Sequence, residues 1–263
     1  MVHGERAAKH AVGPGAAVAA VRVAALAKRY GETAVLEGVD LEVAQGDAFG
    51  LLGLNGAGKT TLIKCLLDLC ARGAGEIALY GVSVSEPRAR ARLAYLPEQF
   101  VPPHYLRGRE FLALMLALAD KRYDTVLVDA RLAQLELDRA VLERPVRALS
   151  KGMNQKLGLA AALLIERDLY VLDEPMSGLD PASRIAVKSA LRDLVAEGRT
   201  LFFTSHVLTD VEELCQSIAV LDRGTICFRG APSALCERYG EAHLERAFLR
   251  CIRHDGHPVE SVA

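Results

Sequence analysis

Short apolar segments and longer amphipathic segments alternate along most of this 263-residue chain. The apolar segments predict strands at 21–25, 35–43, 48–52, 77–80, 93–97, 169–172, 201–204 and 218–221. From 108 to about 165 the spacing becomes helical, with Leu132, Leu135 and Leu137 recurring at helical intervals. The pattern therefore predicts a parallel sheet that is interrupted by a helical insert of roughly 60–70 residues.

A glycine-rich turn joins the strand at 48–52 to an amphipathic helix. Its residues are Gly53, Leu54, Asn55, Gly56, Ala57, Gly58, Lys59, Thr60 and Thr61. Glycines allow backbone N–H groups to surround phosphate oxygens, and the helix dipole favours an anion at the helix N-terminus. We expect Lys59 to reach the β- and γ-phosphates and Thr60 to hold Mg2+ through its hydroxyl. The turn predicts a binding site for a nucleoside triphosphate.

A later strand ends in two carboxylates. Asp173 and Glu174 directly follow the apolar residues 169–172. The carboxyl ends of parallel strands meet at one edge of a sheet, so we expect Asp173 beside the glycine-rich turn, supporting the Mg2+ shell. Glu174 can orient or deprotonate an attacking water. Taken alone, the pair also fits a strand that simply ends in a charged turn.

The composition is typical of a soluble globular protein, with 51% hydrophobic and 25% charged residues. A net charge of −1 does not indicate a nucleic-acid or anionic-membrane partner. The six cysteines have no Cys-x-x-Cys spacing, which predicts reduced thiols in a cytosolic protein. The longest apolar runs, 111–119 and 157–165, have about half of the ~20 residues that a membrane-spanning helix needs.

A polar segment before the Asp-Glu strand carries the motif that identifies a family. It reads Leu149, Ser150, Lys151, Gly152 and Met153, and Ser150 is also a good helix N-cap. Together with the glycine-rich turn and the Asp-Glu strand, it resembles the ATP-binding subunits of ABC transporters, whose signature is Leu-Ser-Gly-Gly-Gln. The resemblance covers about 21–235. The lysine and methionine substitutions are similar to those of exporter-like branches.

The resemblance implies roles for further residues. Tyr30 matches the aromatic residue that stacks on adenine, and His206 matches the histidine that senses the γ-phosphate and acts with Glu174 in hydrolysis. Ser150 and Gly152 match the residues that contact nucleotide, and 177–180 matches the loop that contacts the opposite subunit. The implied cofactors are ATP and Mg2+.

One position departs from the family pattern. The glutamine that links the metal site to the helical insert normally follows the strand and its proline. Here Glu98 occupies that position and Gln99 comes one residue later. Either residue can take the role, and Glu98 is a candidate ligand for Mg2+ together with Thr60 and Asp173.

The resemblance implies an α/β fold with a P-loop NTPase core. This core has a mainly parallel sheet, an N-terminal antiparallel β subdomain and an inserted helical subdomain. The expected boundaries are a flexible N-terminal extension at 1–20, the ATPase domain at 21–235 with the insert at about 98–166, and a C-terminal tail at 236–263. The extension faintly resembles a signal peptide, but Arg22 interrupts its apolar region.

The leading hypothesis is an ATPase that powers a separate membrane transporter. Two copies, or one copy and a paralogous ATPase subunit, would enclose two ATP molecules head to tail, with Lys59 and Thr60 of one facing Ser150 and Gly152 of the other. An integral membrane permease would dock near 98–107, where an ordinary surface loop is the alternative. We expect a cytoplasmic protein, peripheral on the membrane's cytoplasmic face, with export as the direction and no nucleic-acid partner.

Other functional classes fit the sequence less well. A non-transport member of the family, acting on nucleic acid or ribosomes, usually has long coiled coils or two tandem ATPase halves, whereas this chain has one phosphate loop and no sustained heptads. A GTPase would carry an Asn-Lys-x-Asp motif, which this sequence lacks. A nucleotide kinase would lack the segment 149–153. The transported substrate is not encoded in any motif of the chain.

Overall fold

The computed structural model describes residues 19–254. The strands are β1 (Ala19–Tyr30), β2 (Thr33–Ala44), β3 (Ala48–Leu52), β4 (Ala74–Leu79), β5 (Val82–Ser83), β6 (Leu93–Leu96), β7 (Leu169–Asp173), β8 (Thr200–Thr204), β9 (Ser217–Asp222) and β10 (Thr225–Gly230). The helices are α1 (Lys59–Leu66), α2 (Pro87–Arg90), α3 (Gly108–Leu118), α4 (Thr125–Gln134), α5 (Lys151–Leu164), α6 (Pro181–Ala196), α7 (Leu208–Leu214), α8 (Pro232–Tyr239) and α9 (Leu244–His254). Two short 3-10 turns lie at Arg139–Leu142 and Val146–Ala148.

The larger sheet has six strands in the order β10-β9-β3-β8-β7-β6. Its strands pair in parallel except for the β9–β10 hairpin. Every residue of β3, β7 and β8 is buried, because helices or the second sheet cover both faces of these central strands. The sheet confirms the predicted parallel core. It also places the C-terminal ends of β3, β7 and β8 side by side.

The smaller sheet is antiparallel, in the order β2-β1-β4-β5. Val39, Leu41 and Val43 of β2 are buried, whereas Asp40 and Glu42 between them are exposed. This alternation directs one face of the sheet towards α1 and the larger sheet, where the two sheets share an apolar core. The structure confirms the antiparallel β subdomain, and β1 extends well beyond the predicted 21–25.

The helical insert lies between β6 and β7 and contains α3, α4 and α5. Helix α5 runs back along the main core, and a Cβ atom added at Gly158 would lie 2.7 Å from a ring carbon of Phe100 and 2.8 Å from Leu96 Cδ1. Glycine therefore allows close packing of α5 against the segment that follows β6. The helix begins at Lys151, because Ser150 caps it by accepting a hydrogen bond from Met153 N (3.2 Å).

The C-terminal region differs from the expected tail. The boundary at Leu235 falls inside α8, and the chain continues to α9, whose Leu244, Ala247, Phe248 and Cys251 are buried against the core. These buried residues recur every three or four positions, which is helical spacing. The many charged residues between them made the segment look like a polar tail in the sequence. Residues 1–18 of the predicted extension and 255–263 of the predicted tail lie outside the described residues, and Ala19 and Ala20 belong to β1.

Within residues 19–254, none of the helices has the length and apolar character that crossing a membrane requires.

Candidate nucleotide-binding site

The glycine-rich turn is shaped by two close backbone approaches. A Cβ atom at Gly53 would lie 2.4 Å from the carbonyl oxygen of Leu221, at the end of the neighbouring strand β9. Gly58, the N-cap of α1, has φ 111°, and a Cβ atom there would lie 2.9 Å from Val35 O. Side chains cannot occupy either position without moving backbone, so the sequence requires glycine at both. Glycine at these positions keeps side chains out of the turn, in which Ala57 N–H donates to Leu54 O (3.1 Å).

Lys59 folds back over this turn. Its Nζ donates hydrogen bonds to Gly53 O (2.7 Å) and Leu54 O (3.2 Å). Burial lowers the pKa of Lys59, and the negative charges of Glu174, Asp173 and Glu98 oppose that effect. Three carboxylates therefore act on the ammonium group. A triphosphate in the turn would replace the carbonyl oxygens as the partner of Lys59.

Asp173 ends β7 next to the first turn of α1. Its Oδ2 lies 3.4 Å from Thr60 Oγ1, and its Oδ1 accepts a 2.6 Å hydrogen bond from Thr204 Oγ1 at the end of β8. The carboxylate is buried and held on both sides by hydroxyl groups. This is the neighbourhood of Thr60 and Asp173 that the sequence predicts.

Glu174 has a strained backbone, with φ 49°, which is uncommon for a residue with a side chain. Its N–H donates to Thr204 Oγ1 (2.9 Å), and its Oε2 lies 2.8 Å from Nδ1 of His206. The Gln155 amide donates to Glu174 O at 3.5 Å. These contacts hold the backbone in this conformation and aim the carboxylate towards His206.

The electrostatics of Glu174 suit a proton acceptor. Burial raises its pKa above the ordinary glutamate value, while the charge and hydrogen bonds of His206, and the charge of Lys59, partly oppose the rise. The glutamate is buried, but the His206 side chain is largely exposed. The pair thus joins an inner carboxylate to an outer imidazole that solvent or a ligand can reach.

Sequence reasoning did not single out Thr204 or Gln155 as site residues. Thr204 is fully buried and bonds both carboxylate residues, through the side chain of Asp173 and the backbone of Glu174. Asp173 and Thr204 are register partners in the β7–β8 pair. Only knowledge of the strand order reveals this neighbour, and a threonine ending an apolar strand is too common a signal to find it.

The segment 149–153 lies against the loop 177–180. A Cβ atom added at Gly152 would lie 3.4 Å from Gly178 O, and the aliphatic part of Lys151 approaches Gly178. Asp180 caps α6 by accepting from Ser183 N (2.9 Å). Ser150 is exposed, so its hydroxyl is accessible at the protein surface as well as capping α5.

Buried Lys156 ties this region together. Its Nζ donates to Glu136 O (2.8 Å), at the end of α4, and to Ser183 Oγ (3.0 Å). Ser183 Oγ donates in turn to Asp180 Oδ2 (2.7 Å). The helical insert and the loop 177–180 are therefore linked by one charged side chain.

Tyr30 lies at the end of β1 and is 49% exposed. The ammonium group of Lys28 lies 4.6 Å from the centre of its ring. A hydrogen bond to Cys70 is the largest of the effects that raise the pKa of the Tyr30 hydroxyl, while Thr61 of α1 acts in the opposite direction. Tyr30 therefore lies beside α1, and a large part of its ring surface is exposed and available for stacking.

Glu98 and Gln99 begin a groove between the main core and the helical insert. Both are exposed, and the groove has a volume of about 450 Å3. Phe100, Val101, Arg147 and Lys151 are among its lining residues. Glu98 alone of the two acts on Lys59. Gln99 lines the same groove, and its neutral amide carries no charge that would act on Lys59.

The oxygen donors near Thr60 suit Mg2+. The Thr60 hydroxyl and the Asp173 carboxylate are adjacent, and both are hard oxygen ligands. Among residues 19–254, no group of three or more His, Cys, Asp or Glu side chains forms a metal cage. Two protein ligands beside a phosphate loop match the way Mg2+ binds, since it keeps waters and takes substrate phosphates as further ligands.

Comparisons with known proteins agree on one family. Residues 36–177 match the family model described as ABC transporter. An uncharacterised ABC transporter ATP-binding protein, all4389, of Nostoc sp. PCC 7120 is 38% identical over 216 residues, which are 80% of this chain and 64% of the relative. The chain therefore spans less than two thirds of that relative's length.

In two further comparisons the alignment covers a larger share of the matched protein. The Nod factor export ATP-binding protein I of Mesorhizobium japonicum is 38% identical over 244 residues, 90% of this chain and 71% of that protein. A solved ATP-binding subunit of an ABC transporter superposes with a TM-score of 0.78 at 29% identity, covering 88% of this chain and 98% of the other. The family match includes both the glycine-rich turn and the Asp-Glu strand.

Proposed function

The chain belongs to the ABC transporter family of ATP-binding proteins, and on this basis we propose that it binds and hydrolyses ATP to power a separate membrane permease. The observation that carries the hydrolysis step is the Glu174–His206 pair, 2.8 Å apart at the end of β7. The charge of Lys59 acts on Glu174. Asp173 is the residue that directly precedes Glu174 in the chain.

ATP binds with its phosphates in the turn 53–61. The backbone N–H groups at the N-terminus of α1 surround the phosphates, and Lys59 exchanges its two carbonyl partners for phosphate oxygens. The adenine stacks on Tyr30, whose ring is exposed at the end of β1. The exchange costs Lys59 little, since a buried ammonium group is better neutralised by phosphate than by carbonyl oxygens.

Thr60 and Asp173 would hold Mg2+, with Glu98 as a further carboxylate on the same side of Lys59. When bound, the ion neutralises charge on the β- and γ-phosphates. The Thr204 hydroxyl fixes one oxygen of Asp173 and leaves the other facing Thr60. Glu98 supplies a negative charge where the family has a neutral glutamine, and it takes the role in preference to Gln99.

Glu174 acts as the general base. The raised pKa of its carboxylate makes it a better proton acceptor than an ordinary glutamate, provided that it is ionised at the working pH. His206 keeps it ionised by contributing a hydrogen bond and, when protonated, a positive charge. A water held between Glu174 and the γ-phosphate would lose its proton to Glu174 as it attacks phosphorus, while the bond from that phosphorus to the β-phosphate oxygen breaks and ADP leaves.

A second copy of the chain, or a paralogous ATPase subunit, completes the site. Ser150 is exposed, and Gly152 lies at the surface formed with the loop 177–180. These residues would contact the nucleotide held by Lys59 and Thr60 of the opposite copy. ATP binding closes the dimer and hydrolysis reopens it, so the cycle is a population shift driven by nucleotide.

The permease docks in the groove that begins at Glu98. Val101 is 82% exposed and Tyr105 is 73% exposed, so large apolar side chains face solvent beside the groove. The segment lies between β6, next to the nucleotide site, and the helical insert. Movement of the insert on ATP binding would therefore reach a helix held there. We assign export as the direction, in line with the name of the Mesorhizobium relative.

The test compares Glu174→Gln with wild type and with Glu197→Gln, a matched exchange at an exposed position at the end of α6. We expect the Glu174 variant to bind ATP normally, lose turnover by about 100-fold or more and accumulate an ATP-bound dimer in size-exclusion chromatography. Glu197→Gln should hydrolyse ATP as the wild type does. Normal turnover by Glu174→Gln would refute the assignment of the base.

A further inference from the structure

The turn that ends α1 brings two cysteines together. Asp68 adopts the left-handed conformation, with φ 57°, and the N–H of Leu69 donates to Lys64 O at 2.8 Å. The chain reverses over the last turn of the helix, as in a Schellman motif. The result is a 3.5 Å contact between Sγ of Cys65, inside α1, and Sγ of Cys70, just after the turn.

The two thiols have different environments. Cys65 is fully buried in the apolar core, and burial raises its pKa to about 12. Cys70 is half-buried at the surface of the same core. The ammonium group of Lys28 donates to Ala71 O (2.6 Å), which places a positive charge next to Cys70. Cys70 is therefore the thiol that a reagent in solution can reach, and Cys65 lies behind it.

The thiol pair also contacts the residue that stacks on adenine in the proposed function. Cys70 is the largest of the influences that raise the pKa of the Tyr30 hydroxyl, which indicates that the thiol lies near that hydroxyl. Lys28 contacts both the tyrosine and the segment that carries the cysteine. Its ammonium group lies over the Tyr30 ring and donates a hydrogen bond to Ala71, the residue after Cys70. A change in the position of Cys70 will therefore change the support of the Tyr30 ring.

We propose that Cys65 and Cys70 form a modification site at which a low-molecular-weight disulfide, such as oxidised glutathione, produces an intramolecular disulfide that weakens ATP binding through Tyr30. The part that concerns ATP rests on the proposed function. The formation of the disulfide does not.

The reaction is a thiol–disulfide exchange in two steps. The Cys70 thiolate attacks one sulfur of the small disulfide, forms a mixed disulfide and releases one glutathione thiolate. Cys65 then attacks the Cys70 sulfur, closes the protein disulfide and releases the second glutathione. The protein gives up two protons and two electrons in total, and the small disulfide takes them up as it becomes two molecules of glutathione. The sulfurs move from 3.5 Å to about 2.0 Å apart, so the position of the Cys70 sulfur relative to the Tyr30 hydroxyl changes.

The first experiment treats the full chain with oxidised glutathione and digests it with trypsin without reduction. Cleavage after Lys64 and Arg72 releases one peptide that contains both cysteines. We expect this peptide to be lighter by two hydrogen atoms, and to regain them after reduction. A peptide that stays reduced, or that keeps one glutathione as the final product, would overturn the proposal.

Single variants test the order of the steps. Cys65→Ala removes the second attacking group, so glutathione should remain attached to Cys70. Cys70→Ser removes the accessible thiol, so the peptide should remain unmodified. A matched control is Cys236→Ser, which removes another half-buried thiol and should leave disulfide formation unchanged. Equal glutathione attachment at Cys65 in the Cys70→Ser variant would contradict the assigned order.

ATP affinity provides the second readout, measured by titration calorimetry on oxidised and reduced protein. Oxidation should weaken binding roughly three- to tenfold, the change expected for losing one hydrogen bond, and reduction should reverse it. In Tyr30→Phe, which retains the ring but lacks the hydroxyl, oxidation should leave the affinity of the variant unchanged. Equal affinities of oxidised and reduced wild type would refute the link to Tyr30. Absence of ATP binding in the reduced protein would instead refute the proposed function, while the peptide mass still decides the modification.

Discussion

Thr204→Val removes one hydroxyl from the centre of the site and leaves the shape of the side chain almost unchanged. In the native protein that hydroxyl donates to Asp173 (2.6 Å) and accepts from the N–H of Glu174 (2.9 Å), and the threonine is fully buried. The valine variant leaves both partners without this bond in a place where water does not replace it. The strained backbone of Glu174, with φ 49°, loses one of its supports.

The magnitude follows from the two bonds. A hydrogen bond to a charged group contributes about 1.5–3 kcal/mol and one between neutral groups about 1 kcal/mol. We therefore expect the free energy of unfolding to fall by roughly 2.5–4 kcal/mol, within the range of strongly destabilising single substitutions. We also expect turnover to fall, because Asp173 and Glu174 both lose the group that orients them.

The matched control is Thr200→Val at the other end of β8. Thr200 is also fully buried, and its Oγ1 accepts from Gly46 N (3.0 Å) and lies 3.3 Å from the Tyr80 hydroxyl. This variant should lose a comparable part of its stability but, when folded, hydrolyse ATP at the wild-type rate. The strand and the type of substitution are the same, so the comparison separates stability from catalysis.

The assay is urea unfolding followed by circular dichroism, with ATPase rates measured at a temperature where all three proteins are folded. A lower midpoint with an unchanged slope reports a true change in stability. The reasoning is refuted if Thr204→Val unfolds within about 0.5 kcal/mol of wild type, or if Thr200→Val loses as much turnover as Thr204→Val.

Three further substitutions probe the nucleotide site and its surroundings. Lys59→Ala should abolish ATP binding in calorimetry, since it removes the ammonium group at the phosphate loop, and near-normal affinity would contradict the loop assignment. Ser150→Arg should block ATP-driven dimerisation in size-exclusion chromatography while the monomer still binds ATP; a normal dimer would exclude a role across the interface. His206→Gln should shift the acid limb of the kcat/KM profile to higher pH. The reason is that His206 lowers the pKa of Glu174, and the base works only when it is deprotonated. An unshifted limb would show that His206 does not affect the ionisation of Glu174.

The fold class could be predicted from the sequence because the central strands are short, apolar and bounded by polar turns. Strands β3, β7 and β8 are buried on both faces, so their composition alone distinguishes them from amphipathic helices. The C-terminal helix α9 was missed, since charged residues on its exposed face separate its apolar positions and the segment looks like a charged tail. In this chain, the continuous apolar runs of the fully buried strands were easier to recognise in the sequence than the mixed apolar and charged pattern of a helix with one buried face.

The phosphate loop was also available from the sequence. The motif preserves glycine at positions 53 and 58, although the backbone atoms that require glycine there, Leu221 O and Val35 O, come from distant parts of the chain. The chemistry of Lys59 follows from its place at the start of α1. The motif is one continuous segment, which is why its spacing predicts the loop, whereas the atoms that pack against its glycines are known only from the fold.

Tertiary structure decided which residues act on one another. Thr204 meets Asp173 because β7 and β8 are neighbours in register, although the residues are far apart in sequence. Cys70 meets Cys65 and Tyr30 because a turn reverses the chain beside the end of β1. The sequence by itself determined the type of fold, the phosphate loop and the acidic strand end, since each is encoded in a continuous segment. The orientation of Glu174, the shift of its pKa and the thiol pair arise from burial and contact between separate segments, which only the folded chain brings about.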